Sequence, residues 1–230
     1  MVCKKKIDMN KILVVAVHPD DETLGCGGTL LKHKSAGDEI HCVFCTDVKV
    51  SNGFSQEVVD GREDEIRIVE NLYNFKSLKK MGLSTTKVDE YNMSNLTIAF
   101  TAIIKEIEPC IIYLPFRGDV HSDHRKIFEA AYSCTKSFRY PFIKKIYMME
   151  TLSETEFSPG TPDTVFIPNV FIDISEYMDK KIEIMKIYKS EMGEHPFPRS
   201  EKNIRALATY RGATAGCEYA ESFMLIKEII

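Results

Sequence analysis

Ile12-Leu13-Val14-Val15-Ala16-Val17-His18-Pro19-Asp20-Asp21-Glu22 is an apolar run that ends abruptly in an imidazole and three carboxylates. An apolar run without alternation reads as a strand buried on both faces, as in a parallel sheet. Its polar terminus then falls at the carboxyl edge of the sheet, where open α/β folds bind ligands. Adjacent carboxylates repel one another, and a cation among them relieves the repulsion. A glycine-rich segment, Gly25-Cys26-Gly27-Gly28, follows directly.

Outward from this stretch, strand-like and helix-like runs alternate. The pattern predicts a strand over 12–17, a helix over 23–36 and a second strand over Ile40–Cys45. Ile66, Val69, Leu72 and Tyr73 recur at helical spacing within 62–75. A helix is expected over Asn95–Glu108, stopped by Pro109, then a third buried strand over Cys110–Leu114 and a helix over Asp123–Ser137. β-rich pieces follow around Ile143–Met149 and Val165–Ile172, separated by a Ser-, Thr-, Glu- and Pro-rich loop or lid over 151–164. Residues 175–191 are amphipathic, a helix over 201–210 starts behind Ser200 as N-cap, and Phe223–Ile226 reads as a last strand. This order predicts an α/β, Rossmann-like fold: a mostly parallel sheet with helices on both faces. One domain over 1–230, without internal repeats, is the simplest organisation.

The composition, 44% hydrophobic and 28% charged, is that of a globular protein. A net charge of -4 provides no basic field for nucleic acid, and no apolar stretch reaches the length of a membrane span. Lys4-Lys5-Lys6 imitates the start of a secretory signal, but His-Pro-Asp-Asp stands where a small-residue cleavage site belongs. The seven cysteines form no disulfide frame. Cys42 and Cys45, three apart on a predicted strand, face opposite sides of the sheet and read as small apolar residues rather than a redox or zinc pair. Reduced thiols predict a cytoplasmic protein.

A second cluster, His121-Ser122-Asp123-His124-Arg125, follows the strand over 110–114 after a short connection containing Gly118. It too is expected at the carboxyl edge. Two histidines three apart at a helix start can face one side. His18, Asp21 and His124 then offer two nitrogens and one oxygen to a metal, the ligand number of a catalytic zinc with an open position. The same donors suit Fe2+ or another divalent ion. Either cluster alone reads as a capped turn or surface decoration; their coincidence at one sheet edge points to a site.

With Gly27-Gly28, the His18-Pro19-Asp20-Asp21-Glu22 and His121-x-Asp123-His124 motifs resemble the signature of the zinc-dependent N-deacetylases of the PIG-L/LmbE superfamily. The resemblance covers nearly the whole chain, including the acidic helix with Arg62 and Glu65. It implies Zn2+ held by His18, Asp21 and His124, with Asp20 as general base and His121 on the oxyanion side. Amide hydrolysis is compatible with those roles: Asp20 neighbours a ligand and can take a proton from water, then pass it to the leaving amine. His121 can donate to an oxyanion, and Asp123 either fixes the His121 tautomer or caps the helix. The chain departs from the pattern at Val48, where many relatives carry glycine, and at Asp119, where some carry tyrosine.

The implied function is metal-dependent hydrolysis of the N-acetyl group of an amino sugar or its conjugate, releasing acetate and a free amine. A small-molecule substrate is the partner, and a homo-oligomer is left open. Arg62 falls in the first turn of the predicted helix over 62–75, where a cation opposes the dipole, and the resemblance implies that it binds substrate hydroxyls or phosphate; the alternative is a solvated charge within Gly61-Arg62-Glu63-Asp64-Glu65. His195-Pro196-Phe197-Pro198-Arg199-Ser200 reads as a stiff extended loop. His195 and Arg199 are expected at the substrate pocket, joined by Arg211 at its helix end and Glu221 just before the last strand. An arginine pair suits a phosphate or carboxylate on the substrate, hence a nucleotide-linked or otherwise anionic amino sugar. For Arg211 the alternative is a helix C-cap. His33 and His41 stand outside any cluster, and Tyr147-Met148-Met149 reads as core.

Two other functions compete. A dinucleotide-binding oxidoreductase would use Gly25-x-Gly27 and Asp47, but Leu30 stands where the third glycine belongs, and carboxylates would face the pyrophosphate. A non-catalytic glycan-binding or regulatory domain would keep the fold without needing Asp20.

Overall fold

A computed structural model describes residues 9–230; Cys3 and the Lys4-Lys5-Lys6 run lie outside the described residues. The chain runs β1 (Lys11–Ala16), α1 (Asp21–Ala36), β2 (Glu39–Asp47), α2 (Gln56–Tyr73), β3 (Ser77–Ser84), α3 (Met93–Ile107) and β4 (Ile111–Leu114). It continues through α4 (Ser122–Ser133), β5 (Lys145–Met149), β6 (Val170–Asp173), α5 (Met178–Met185), α6 (Glu201–Ala215) and β7 (Ala220–Glu228). One seven-stranded sheet results, in the order β3-β2-β1-β4-β5-β7-β6. β1 to β5 pair in parallel, and β7 runs antiparallel between β5 and β6.

The apolar run explains the centre of this sheet. Ile12, Val14 and Ala16 enter one buried cluster, while Leu13, Val15 and Val17 enter another on the opposite face. The first is completed by Leu30 of α1, Val69 of α2, Ile182 of α5 and Ile204 of α6. The second takes Phe100 of α3 and Ile127 of α4. Helices therefore cover both faces, and each fully buried Leu, Ile, Val or Phe contributes roughly 1.5–3 kcal/mol. Cys42 and Cys45 divide between the two clusters, as their spacing requires. Tyr147, Met148 and Met149 are core residues. No helix among the described residues is long and apolar enough to cross a membrane.

Strand order reverses between β1 and β4, which pair side by side although β2 and β3 intervene in the chain. A crevice opens at the carboxyl ends of strands at such a switch point. Both motif clusters follow these two strands, so the topology delivers them to one place.

Several elements differ from the sequence expectation. β3 was not expected: it is an edge strand with only Leu83 buried, and Lys79 and Lys80 pair outward with Glu106 and Glu63. α2 starts at Gln56, where the Ser55 hydroxyl accepts the Val58 N–H at 3.3 Å. Arg62 consequently sits in the second turn, and the dipole argument for its role falls away. α6 extends to Ala215, so Arg211 lies inside the helix rather than at its end. Residues 175–191 divide into a 3-10 turn, α5 and a further run of turns. The 151–164 stretch is a succession of turns, as its composition predicts.

The glycine-rich segment serves packing. α1 kinks at Cys26, which leaves helical geometry at φ -149. A Cβ on Gly28 would stand 2.7 Å from Ile174 Cβ, and one on Gly27 would stand 2.6 Å from the Tyr73 hydroxyl. These glycines let α1 press against its neighbours, leaving no phosphate cradle for the dinucleotide reading.

Candidate active site

The turn from β1 into α1 is held by its own side chains. Asp21 Oδ2 accepts the His18 N–H at 2.8 Å. Asp20 adopts φ 141, a conformation that costs a non-glycine residue on the order of 1–3 kcal/mol. Glu22, fully buried, stabilises that backbone: its Oε2 accepts the Asp20 N–H at 3.1 Å, and Oε1 accepts the hydroxyls of Thr23 at 2.6 Å and Tyr188 at 3.0 Å. Burial pushes the Glu22 carboxyl up to about 7, against the pull of these hydrogen bonds.

His124 enters from the first turn of α4. Its Nε2 lies 3.3 Å from His18 Nδ1 and 3.3 Å from Asp21 Oδ2, while His18 Nδ1 lies 3.7 Å from Asp21 Oδ2. Ligand atoms placed about 2.0–2.1 Å from a tetrahedral ion stand roughly 3.3–3.4 Å apart. The three atoms are thus spaced so that they could hold a divalent cation. Asp119, wholly buried, accepts from His124 Nδ1 at 2.8 Å and from the Thr155 hydroxyl at 2.7 Å. The imidazole proton is thereby assigned to Nδ1, and Nε2 turns its lone pair to the cluster. Burial opposes charge on His124, but Asp21 and Asp119 outweigh it and raise its pKa well above the usual value. Burial likewise pushes Asp21 up, yet His124 and His18 hold it well below the ordinary carboxylate range.

His18, His121 and Asp123 also bring three donor atoms together. Both Asp123 oxygens are already engaged, by the Thr86 N–H at 2.7 Å and the Val88 N–H at 3.1 Å. The set with Asp21 is the better candidate, because one backbone N–H, that of His18, reaches the Asp21 carboxylate among the described residues, against two for Asp123. Asp123 instead faces His18 Nε2 at 3.4 Å, orienting that ring with Nδ1 toward the cluster. His121 Nδ1 accepts the Asp123 N–H at 3.1 Å, so a neutral ring carries its proton on Nε2. It is the backbone amide of Asp123, and not its carboxylate, that sets this tautomer. Burial, followed by the His18 charge, lowers the His121 pKa and favours the neutral ring.

These groups open into a cavity of about 220 Å³. Asp20 lines it, and no hydrogen bond reaches its carboxylate among the described residues. Burial, then the neighbouring Asp21 and Glu191 carboxylates, raises the Asp20 pKa well above its ordinary value. The lining also includes Arg62, Ser153, Glu154, Glu191 and Arg199. Arg62 donates to the Pro19 carbonyl at 2.9 Å and to Glu191 Oε1. Arg199 donates to Glu191 Oε2 at 3.2 Å and to the Ser153 hydroxyl at 2.7 Å. Glu191 is therefore clamped between two guanidinium groups.

His195 is exposed and does not line the cavity. Arg211 lies elsewhere, donating through Nε and Nη2 to Glu150 at 2.9 and 2.5 Å. Glu221 is buried outside the cavity; it accepts the N–H groups of Gly28 at 2.8 Å and Thr29 at 2.7 Å, and Lys181 Nζ at 2.7 Å. Its carboxylate caps the helical segment that restarts after the Cys26 kink. His33 also stands apart, bonded to Asp38 at 2.7 Å and to the Tyr113 hydroxyl at 3.0 Å. Asp119, Glu154 and Glu191 are the residues that sequence reasoning missed. Asp119 registers there only as a departure from pattern, and the two glutamates carry no motif.

A family model described as PIG-L: GlcNAc-PI de-N-acetylase matches residues 13–135, the stretch that contains both motif clusters. The chain belongs to the PIG-L family. Among its relatives, the diacetylchitobiose deacetylase of Thermococcus kodakarensis is 25% identical over 235 residues, covering 96% of this chain and 85% of that one. A probable N-acetyl-alpha-D-glucosaminyl L-malate deacetylase 2 of Bacillus anthracis is 22% identical over 188 residues, covering 78% of this chain and 80% of the relative. Among solved structures, the N,N'-diacetylchitobiose deacetylase of Pyrococcus horikoshii, in complex with its inhibitor, superposes with a TM-score of 0.76 at 21% identity, covering 96% of this chain and 85% of that one. A 4-carboxy-2-hydroxymuconate hydratase, GalB of Pseudomonas putida, reaches 0.72 at 15% identity, covering 96% and 98%. The PIG-L fold thus hosts more than one reaction, and function has to be argued from the site.

Proposed function

We propose that this PIG-L protein hydrolyses the N-acetyl group of an amino sugar or amino-sugar conjugate, using a divalent cation, Zn2+ first among candidates, held by His18, Asp21 and His124. One observation carries the reading: three donor atoms 3.3–3.7 Å apart stand beside the strained, buried Asp20. The relatives named for deacetylation of diacetylchitobiose and of N-acetylglucosaminyl malate support the same chemistry. The single sheet supports one catalytic domain over 1–230.

A cation bound there supplies Lewis acidity, polarising an amide carbonyl and making water more acidic. Asp20 accepts the proton of the attacking water, its carboxylate lining the cavity with no hydrogen-bond partner among the described residues. Negative charge develops on the amide oxygen, and the Nε2–H of His121 donates to it. As the C–N bond breaks, Asp20 returns the proton to the departing nitrogen. Acetate and a free amine result. A binding domain without catalysis would leave the strain at Asp20 without a purpose.

The test is to incubate zinc-loaded protein with a panel of N-acetyl sugars and to follow acetate release and loss of acetyl mass. Turnover is expected for at least one sugar, and chelation should abolish it. Absence of deacetylation across the panel sinks the proposal.

A further inference from the structure

Glu154 lines the cavity, and its Oε2 is buried with no hydrogen-bond partner among the described residues. The turn around it is built to hold it in place. Ser153 adopts φ 73, which non-glycine residues rarely do. The Glu154 N–H donates to the Thr151 carbonyl at 3.2 Å, and its own carbonyl accepts the Val120 N–H at 3.1 Å. The next residue, Thr155, donates its hydroxyl to Asp119 at 2.7 Å, tying the turn to the partner of His124. A buried acceptor left unpaired in a cavity, on a backbone fixed by its turn, is placed to serve as a recognition group.

The surrounding charge says what it recognises. Both guanidinium groups of the cavity, Arg62 and Arg199, are committed to Glu191. Asp20, Asp47 and Glu154 add further carboxylates to the lining. A phosphate would find no unpaired guanidinium in the cavity to receive it. A hydroxyl would supply the donor that Glu154 Oε2 lacks.

We propose that Glu154 is a specificity-determining residue that accepts a hydrogen bond from a ring hydroxyl of the substrate, and that the pocket takes an uncharged N-acetyl sugar in preference to a phosphorylated or nucleotide-linked one. The inference rests on the deacetylase reading for the nature of the sugar. It reverses the nucleotide-linked preference drawn from the arginines in the sequence.

The experiment measures binding and turnover separately on zinc-loaded protein. The probes are N-acetylglucosamine, its 3-, 4- and 6-deoxy analogues, and a nucleotide-linked N-acetylglucosamine. Burial pushes the Glu154 carboxyl up to about 7, so binding is measured at about pH 8, where it is ionised. There Glu154→Ala should weaken binding of the parent sugar by about 10–100-fold, the effect of losing a hydrogen bond to a charged group, and raise KM with little change in kcat. One deoxy analogue should bind the wild type as poorly as the parent binds Glu154→Ala, and should be indifferent to the substitution. Glu154→Gln, which keeps one acceptor oxygen, should recover part of the loss; it also decides the matter if the alanine variant melts early. The nucleotide-linked sugar should bind the wild type more weakly than the free sugar. Equal losses for parent and every deoxy analogue overturn the inference, as does tighter binding of the nucleotide-linked probe. Acetate release with a KM unmoved by Glu154→Ala removes the inference and keeps the deacetylase. The Glu154 binding pattern without acetate release does the reverse.

Discussion

Asp119 and Asp20 show how single residues set the chemistry of the site. Asp119 holds the His124 proton on Nδ1 through a 2.8 Å contact, so Asp119→Ala should lower cation affinity by about 10–100-fold, measured by competition with a chromogenic chelator. Unchanged affinity would show that the His124 ring is oriented by packing alone. Asp20→Asn should keep the cation but lose on the order of 10²–10⁴ in turnover, read as acetate release at full metal occupancy. The raised His124 pKa has a further consequence. Without a cation, Asp21 and Asp119 favour a proton on the ring, and a bound cation has to displace it. Affinity should therefore fall as pH drops below the raised value and strengthen as pH rises through it. Calorimetry in buffers of different ionisation enthalpy should detect the released proton; buffer-independent heats would contradict it. His18, Asp21 and His124 are legible in the sequence because each sits in a short motif after an apolar run. Asp119 is not, because its partnership depends on the direction of an imidazole ring.

At the scale of elements, the motif-bearing turns depend on how closely α1 packs. Gly28→Ala would push a Cβ to 2.7 Å from Ile174 and should destabilise the protein by about 1–3 kcal/mol in urea unfolding. No loss would mean that α1 retreats from Ile174 freely. β1, β2 and β4 are readable as strands because both of their faces are buried and the apolar run is continuous. β3 escapes notice because its lysines suit an edge and leave little apolar pattern. The start of α2 is hidden for a related reason: residues 56–61 are largely exposed, and helical periodicity emerges only where Ile66 and Val69 meet the core.

Across the whole molecule, the last strand secures the first helix. Glu221 of β7 neutralises Lys181 of α5, which is only 5% exposed at its side chain, and caps the restarted α1. Glu221→Ala should cost roughly 3–5 kcal/mol by stranding a buried ammonium, seen as a lower urea midpoint. A midpoint close to wild type would show that Lys181 reaches water. The expectation of Glu221 as a substrate contact failed because a carboxylate at a strand end looks the same in sequence whether it meets a ligand or a helix terminus. The cavity, finally, is assembled from two separate tracts. The cation donors and Asp20 come from 18–124, whereas Ser153, Glu154, Glu191 and Arg199 come from 153–199, beyond the family match at 13–135. On the proposed reading, the reacting groups and the glutamate that selects the sugar lie on different stretches of the polypeptide, although Asp47 and Arg62 of the first tract also line the cavity, so substitutions in the second tract can alter selectivity while the cation donors stay in place.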